Sequence, residues 1–150
     1  MTDLHMPTLR QAGADDWVAL RTLLLDSGLP VEDLGRDTLD GFLVAEDSGD
    51  LVGLIGLQVF GTTGLLRSLV VAGNVRSGGL GGKLVGALEA AAQTAGITDL
   101  WLLTVDAEKF FERQGFFVVN RDIAPQAIQE TDEFAGLCPD TAHLMRKDIR

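Results

Sequence analysis

Cysteine, histidine and tyrosine are the residues of which this chain has least. Its 150 residues include one cysteine, two histidines and no tyrosine. The single Cys138 cannot form an internal disulfide, which agrees with a reducing compartment. No Cys, His and Asp cluster at ligand spacing, so we predict no metal site, and we expect Cys138 to be a small buried residue rather than a ligand for a soft metal.

Basic residues and long apolar runs are also scarce. The chain has 12 Lys and Arg residues and 22 Asp and Glu residues, which gives a net charge of −10. Such a surface is a poor partner for nucleic acid or for an anionic membrane. No apolar run approaches the ~20 residues that span a bilayer, and the first ten residues lack the pattern of a signal peptide. We therefore expect a cytoplasmic protein.

The chain alternates strand and helix signals over a length that suits a single domain, residues 1–150. The tight turns at 47–50 and 61–64 predict an antiparallel meander of three strands. A strand that follows a long helix is expected to run parallel to the strand before that helix. The predicted strands are residues 8–11, 42–46, 51–60, 65–71, 100–104, 116–119 and 141–145, and the predicted helices are 14–25, 31–37, 80–95, 107–115 and 125–131.

The most informative stretch is an apolar strand, a glycine-rich turn and a helix. It reads LLRSLVV, AGNVRSGGLGG and KLVGALEAAAQTA. Arg76, Gly79 and Gly81 give the spacing R-x-x-G-x-G, in which backbone N–H groups and the helix start can surround a phosphate. Neither nucleotide-binding fingerprint fits. Leu84 follows Lys83 where the P-loop motif requires a hydroxyl, and the glycines here have the order G-G-x-G-G instead of G-x-G-x-x-G. The alternative is a plain strand-to-helix turn.

This loop, together with AEKFFERQGF at residues 107–116, resembles the GNAT N-acetyltransferase superfamily. The resemblance implies an α/β fold with a mixed, mostly antiparallel central sheet that is splayed at one parallel strand pair and flanked by helices. It also implies acetyl-CoA as cosubstrate and allows a homodimer. The strand LLRSLVV, the helix FFERQGF and the tail after residue 123 are further similar to a subgroup associated with arsenic-resistance operons.

The resemblance assigns the cofactor site residue by residue. The glycine loop would hold the pyrophosphate, and the preceding strand would offer its backbone to the pantetheine arm. The expected cofactor-binding residues are Leu69, Val70, Val71, Arg76, Ser77, Gly78, Gly79, Leu80, Gly81, Gly82, Thr104 and Phe111.

The acid and the base are where this sequence departs from the superfamily. Phe111 stands where many members have a tyrosine that protonates the leaving thiolate, and Thr104 replaces an asparagine. A thiolate leaves tolerably without an acid because a thiol has a pKa of about 8.5. The candidates for the base are His143 and Glu46, with Asp106 and bulk water as further options. A lone histidine is more often structural.

Two polar residues in apolar strands are expected to face the acceptor. Arg67 lies in the middle of LLRSLVV, where it would hold an anionic group of the acceptor or form an internal salt bridge. Gln58 is the second candidate, and as an amide it is no base. We therefore predict acetyl transfer to a small amine, such as an amino acid or an analogue, with an organoarsenical suggested by the subgroup. The rival is an acyl-CoA-binding module without catalysis.

Overall fold

The computed structural model describes residues 7–28, 36–72, 79–131, 134 and 142–150. Seven strands are present in these residues: β1 (Thr8–Gln11), β2 (Phe42–Asp47), β3 (Asp50–Phe60), β4 (Thr63–Val71), β5 (Asp99–Thr104), β6 (Phe117–Val119) and β7 (His143–Asp148). The α-helices are α1 (Trp17–Asp26), α2 (Leu80–Thr94), α3 (Glu108–Arg113) and α4 (Gln126–Gln129). Short 3-10 helices cover Ala14–Asp16, Arg36–Gly41 and Arg121–Ile123.

The strands form one mixed sheet in the order β1-β2-β3-β4-β5-β7-β6. β4 and β5 pair in parallel, whereas β1 with β2, β2 with β3, β5 with β7 and β6 with β7 are antiparallel. The predicted parallel junction is therefore confirmed. The last strand of the chain lies between β5 and β6, a position that no local pattern of the sequence indicates.

The first predicted hairpin is confirmed, and its turn explains the geometry. Ser48 and Gly49 have φ values of 54° and 89°, and the ladder closes with the pair Asp47 and Asp50. Two successive residues with positive φ give the turn whose twist matches that of the flanking strands. Gly49 adopts its positive φ without strain, whereas Ser48 adopts it as a residue other than glycine.

The chain divides into two compact units, and each has its own core. The first unit comprises Met1–Gly56 and Ser68–Leu88, and the second comprises Leu57–Arg67 and Glu89–Arg150. The core of the first unit contains Ala12, Leu20, Leu24, Leu39, Phe42, Val44, Leu54 and Val70. The core of the second unit contains Leu65, Trp101, Ala124, Ile128 and Leu144, with Phe60, Leu103, Val119 and Phe134 packed against it.

Helix boundaries follow the sequence closely. Gly96 has a φ of 88° and follows the end of α2, as expected of a helix-terminating glycine. The buried positions of this helix include Leu84, Leu88 and Ala92, and no helix of the described residues is long and apolar enough to cross a membrane.

Two predicted elements cannot be compared with the structure along their whole length. The predicted helix at 31–37 lies mostly outside the described residues, and a 3-10 helix begins at Arg36, within the last two predicted residues. The predicted loop at 134–139 also lies outside them apart from Phe134. The last strand begins at His143, two residues later than predicted, and extends to Asp148.

Candidate active site

The junction between β4 and α2 carries the predicted phosphate loop. Of that loop, Arg76, Ser77 and Gly78 lie outside the described residues. Gly79 has a φ of 78°, which is a conformation that favours glycine, and α2 begins at the next residue. The first turn of a helix leaves N–H groups without an intrahelical partner, so the amides that begin α2 are candidates for binding an anion.

The start of α2 is packed tightly against β3 and β4 in the first unit. A Cβ atom on Gly53 would lie 3.1 Å from the Val70 carbonyl oxygen and from Leu84 Cδ1, and 3.2 Å from Leu80 Cδ2. The Ala72 N–H also donates to the Val52 carbonyl at 2.8 Å. The absence of a side chain at position 53 therefore allows the first turns of α2 to approach the sheet closely. Gly53 is a residue that the sequence analysis missed.

The middle of β4 is irregular. Ser68 has a φ of 60°, although it lies inside a strand and is not glycine. The ladder between β4 and β5 comprises three pairs, Thr63 with Asp99, Gly64 with Leu100 and Leu65 with Trp101, and it ends two residues before Arg67. β4 thus leaves regular pairing with β5 just before the residues predicted to contact the pantetheine arm.

The predicted pantetheine strand consists of Leu69, Val70 and Val71. Val70 is buried, and the other two are half-buried. The buried Val70 side chain contributes to the core of the first unit, as the sequence analysis expected of this segment's side chains. Their backbone contacts with a cofactor stay a prediction.

Arg67 is one of the few charged residues buried in the described part of the chain. It is 3% exposed, and Leu65 and Leu66 next to it are buried as well. A guanidinium in such surroundings requires a partner of opposite charge or several acceptors. The two interpretations from the sequence, an acceptor anion and an internal ion pair, both stay predictions.

Gln58 carries a buried polar atom without a partner. Its Oε1 atom is shielded from solvent and accepts no hydrogen bond from the described residues. An unpaired buried acceptor costs about 1–3 kcal/mol. Such an atom marks a place where a ligand N–H could supply the missing hydrogen bond.

Thr104 and Phe111 shape the connection between β5 and α3. The Thr104 hydroxyl oxygen accepts the Ala107 N–H at 3.0 Å, so it caps the turn that leads into the helix. Phe111 is 5% exposed and packs edge-on against Phe110 and Phe116, with ring centroids 5.0 and 5.7 Å apart. Phe111 is a core residue that supplies no proton. A cofactor contact of either residue stays a prediction.

His143 begins β7 directly opposite Thr104 in the β5–β7 ladder. Its Nε2 atom lies 3.2 Å from Oε1 of Glu108, and the two side chains are 41% and 39% exposed. Both side chains of this pair are more than a third exposed, and the role of His143 as the base stays a prediction. Glu108 is a second residue that sequence reasoning missed, because no local pattern connects it with β7.

Glu46 lies in an ion-pair network of the first unit. Arg10 contacts Glu46 Oε1 at 2.8 Å and binds the Asp16 carboxylate with two hydrogen bonds of 2.7 and 2.9 Å. The Gly13 N–H donates to the same carboxylate at 2.7 Å. The Arg10 guanidinium lowers the pKa of Asp16, in opposition to burial, and the two carboxylates raise the pKa of Arg10. Glu46 therefore has a structural partner, and its role as a base stays a prediction.

The predicted site residues are divided between the two units. Leu69, Val70, Val71, Gly79, Leu80, Gly81, Gly82 and Glu46 belong to the first unit, and Gln58, Arg67, Thr104, Phe111 and His143 belong to the second. Within the described residues, no group of three or more His, Cys, Asp and Glu side chains could hold a metal ion. Cys138 lies outside these residues.

Comparison with known proteins relates this arrangement to a family. The model of the acetyltransferase (GNAT) family matches residues 3–116, more than half of the chain. A curated relative, an uncharacterised N-acetyltransferase from Chlorobaculum tepidum, is 33% identical over 89 residues, which are 58% of this chain and 56% of the relative. The chain thus spans about half the length of that relative.

Solved structures share the fold. N-acetylglutamate synthase from Neisseria gonorrhoeae, complexed with coenzyme A and N-acetyl-glutamate, has a TM-score of 0.85 at 21% identity, with 99% of this chain and 36% of that chain covered. Rv2747 from Mycobacterium tuberculosis, in complex with CoA and NLQ, has a TM-score of 0.80 at 22% identity, with 95% and 99% covered. At these identities the likeness establishes the fold, and each ligand belongs to the protein that holds it.

The predicted GNAT fold, with its mixed sheet, one parallel pair in the described residues and flanking helices, is confirmed. The matches do not distinguish an arsenic-resistance subgroup. From the family model and the fold together, the chain belongs to the acetyltransferase (GNAT) family.

Proposed function

We propose that this chain is an acetyl-CoA-dependent N-acetyltransferase that transfers the acetyl group directly to a small amine within a ternary complex. The observation that carries the proposal is the family match over residues 3–116. The coenzyme A bound in two structural neighbours supports acetyl-CoA as the cosubstrate. Proximity and backbone electrostatics would supply most of the acceleration.

The residues present fit an acyl-CoA cosubstrate. Gly53 permits α2 to begin close to β4, and Gly79 has the φ that a tight turn before a helix requires. The first-turn amides, with those of Gly81 and Gly82 among them, would bind the pyrophosphate. The coenzyme supplies an activated thioester, and its thiolate leaves without an acid, which suits a chain that has Phe111 at the tyrosine position.

We propose an acceptor that carries a carboxylate or another anion as well as an amine. The burial of Arg67 in an apolar strand supports this class, because a guanidinium binds a carboxylate with two parallel hydrogen bonds. The unpaired Oε1 of Gln58 would accept an N–H of the acceptor. The N-acetyl-glutamate held by one structural neighbour makes an acidic amino acid the first acceptor to test. An organoarsenical amino acid, suggested by the subgroup resemblance, is the second.

The test is release of CoA thiol from acetyl-CoA in the presence of a panel of amines, compared with water alone. The panel contains L-glutamate, L-glutamine, an organoarsenical amino acid and, as a matched control, propylamine, which is the amine that remains when both carboxylates of glutamate are removed. We expect at least one α-amino acid to raise turnover well above the water rate and above the control. If acetyl-CoA binds and no amine raises turnover, the chain is a coenzyme-binding module and the proposal is overturned.

The role of Arg67 is tested with Arg67→Met and Arg67→Lys. A hydrogen-bonded pair with a charged group contributes about 1.5–3 kcal/mol, so the KM for the acceptor is expected to rise about 10- to 100-fold in Arg67→Met. Exposed Arg113 in the same unit provides the matched control Arg113→Met, with an unchanged KM expected. An equal KM in folded Arg67→Met and Arg113→Met would remove the anion-binding role.

Three other expectations from the sequence stay predictions. They are the single domain over residues 1–150, the homodimer and the cytoplasmic location. The cofactor roles assigned to Arg76, Ser77 and Gly78 also stay predictions.

A further inference from the structure

β6 is a terminal strand of the sheet and has a neighbouring strand on one side only within the described residues. It pairs with β7 in an unbroken register, from Phe117 opposite Arg146 to Val119 opposite Leu144. The other edge of β6 therefore carries backbone N–H and C=O groups that no described strand contacts. Such an edge can bind a further strand through its main chain.

The exposed side chains at this edge are apolar. Phe117 is 49% exposed and Val118 is 43% exposed, and Ile123, which follows shortly after the strand, is 55% exposed. These are three of the seven large apolar side chains that are exposed in the described residues, so nearly half of them lie between positions 117 and 123. Because successive residues of a strand point to opposite faces, Phe117 and Val118 leave apolar surface on both sides of the edge.

The strand at the other end of the sheet order, β1, is protected in an ordinary way. It reads TLRQ, and its one large apolar residue, Leu9, is half-buried. A charged residue such as Arg10 on a terminal strand discourages pairing with another chain. β6 reads FVV and contains no lysine, proline or other residue that usually protects an edge.

Charge favours a second copy of this chain as the partner of β6. The net charge of −10 makes two copies repel each other on average. Residues 114–129 contain two charged residues, Arg121 and Asp122, whose charges cancel. The Arg121 guanidinium donates to the Ala142 carbonyl at 3.0 Å and lies 4.6 Å from the centre of the Phe134 ring, so it is bound within its own chain. Two copies can therefore meet along β6 without bringing their excess negative charge into contact.

The sequence of β6 is also complementary to itself. Two identical antiparallel strands are related by a two-fold axis. An axis at Val118 places Phe117 opposite Val119 of the partner subunit. An aromatic residue opposite a β-branched residue is a favourable cross-strand pair, and Val118 then lies opposite its own copy.

We propose that β6 is a dimerisation strand, which pairs antiparallel with β6 of a second copy so that the two sheets become continuous. Ile123 extends the apolar contact beyond the three paired residues. The pairing is short, so the dimer is expected to dissociate reversibly, as small interfaces do. This inference concerns assembly and does not depend on the acetyltransferase activity.

The first test measures the molar mass of the intact chain by sedimentation equilibrium over a series of protein concentrations. Val118→Lys places two ammonium groups opposite each other across the axis, so we expect it to weaken association at least about 10-fold. Val18 on α1 is also exposed and gives the matched control. Val18→Lys changes the net charge by the same amount and should dimerise like the wild type. Circular dichroism reports whether each variant is folded.

Cross-linking tests the register and does not require Val118→Lys to fold. Cys138→Ser removes the only cysteine of the chain, and Val118→Cys is introduced into that background. Directly opposite Cβ atoms lie about 4.5–5.5 Å apart, close to the spacing of about 3.5–4.5 Å in a disulfide. We expect Val118→Cys to form a disulfide-linked dimer rapidly under mild oxidation. Phe117→Cys, which lies away from the axis, and Val18→Cys should cross-link slowly.

Each outcome supports or overturns the proposal. A dimer that is weakened in Val118→Lys but not in Val18→Lys, and that cross-links fastest at position 118, supports it. A chain that stays monomeric at every concentration overturns it, and so does a dimer that both lysine variants retain or lose equally. Cross-linking at position 117 or 18 as fast as at position 118 overturns the antiparallel register. Absence of acetyl transfer in a chain that dimerises through β6 would contradict the proposed function alone.

Discussion

Ser68 and Ser48 are the two residues other than glycine that have a positive φ in the described part of the chain, and of these Ser68 lies inside a strand. A φ of 60° inside a strand is rare for a residue other than glycine, and it costs about 1–3 kcal/mol. Such a conformation persists where the surrounding structure imposes it. Ser68 lies in β4 three residues after Leu65, the last residue described as paired with β5. The strained residue therefore lies close to the point where β4 leaves the parallel ladder.

Replacing Ser68 tests that strain. A β-branched side chain is a clear outlier at positive φ, so Ser68→Val is expected to lower the free energy of unfolding by about 2 kcal/mol, given the usual cost of left-handed backbone. Ser68→Gly should be more stable than Ser68→Val because glycine adopts this φ without strain. Urea unfolding gives both values. Leu69→Val, one residue further along β4, is the control, and an equal loss in both valine variants would contradict the prediction.

The lack of a side chain at Gly53 affects the packing of residues that are distant in the sequence. Its open Cα faces a carbonyl of β4 and two leucines of α2, all within 3.2 Å of a hypothetical Cβ. Glycine in a strand normally weakens it. Here the glycine has a packing role, because it lets α2, the helix that begins at the phosphate loop, approach the strand closely.

At the scale of elements, the network of Arg10, Asp16 and Glu46 joins β1 and β2 to the short 3-10 helix before α1. Asp16 is buried, and its carboxylate receives hydrogen bonds from the Arg10 guanidinium and from the Gly13 N–H. These bonds stabilise the charged form more than burial disfavours it. The pKa of Asp16 is therefore lowered in the folded chain.

This lowered pKa predicts how stability depends on pH. A carboxyl group with a lowered folded pKa stabilises the fold above its unfolded pKa, about 3.9, and this contribution is lost as the pH falls through the folded value. Asp16→Asn is expected to cost about 2 kcal/mol at pH 7, in line with hydrogen bonds to charged groups. The difference between wild type and variant should shrink below about pH 4.

The measurement is denaturant unfolding of both proteins between pH 7 and pH 3. Asp15→Asn, at the exposed neighbouring aspartate, is the matched control and should change stability by less than about 0.5 kcal/mol. A difference between wild type and Asp16→Asn that stays constant down to pH 3 would contradict the assigned cause.

At the scale of the whole molecule, coenzyme binding should protect the fold selectively. A ligand at 100 times its Kd stabilises by about 2.7 kcal/mol, which corresponds to a rise in Tm of about 5–10 °C for a chain of this size. We expect this shift with CoA and acetyl-CoA and not with ATP or NAD, because neither nucleotide fingerprint is present. A shift with ATP or NAD alone would favour a nucleotide-binding protein instead.

Two glycine variants locate that protection. Gly79→Ala introduces a side chain into open space at a φ of 78°, so it strains the turn without a steric clash and should reduce the shift caused by CoA. Gly86 lies in the interior of α2 with no atom near its hypothetical Cβ. Gly86→Ala should therefore raise stability by about 0.5–1 kcal/mol and leave the CoA shift unchanged.

The sequence alone determined the local elements of this protein. Turn chemistry predicts the Ser48-Gly49 turn and the end of α2 at Gly96. The parallel pairing of β4 and β5 follows from the rule for two strands joined by a helix. The spacing R-x-x-G-x-G and the stretch AEKFFERQGF led to the family, which the family match confirms. These signals come from residues that are close in the sequence, so they can be identified without the three-dimensional structure.

Only the tertiary structure decided the contacts between distant segments. The position of β7 between β5 and β6 sets His143 opposite Thr104 and within reach of Glu108, and no periodicity of the sequence encodes this register. The burial of Arg67 and the unpaired oxygen of Gln58 also arise from packing. Strand order and side-chain partners depend on the burial of apolar surface from the whole chain, and a local pattern carries no information about it.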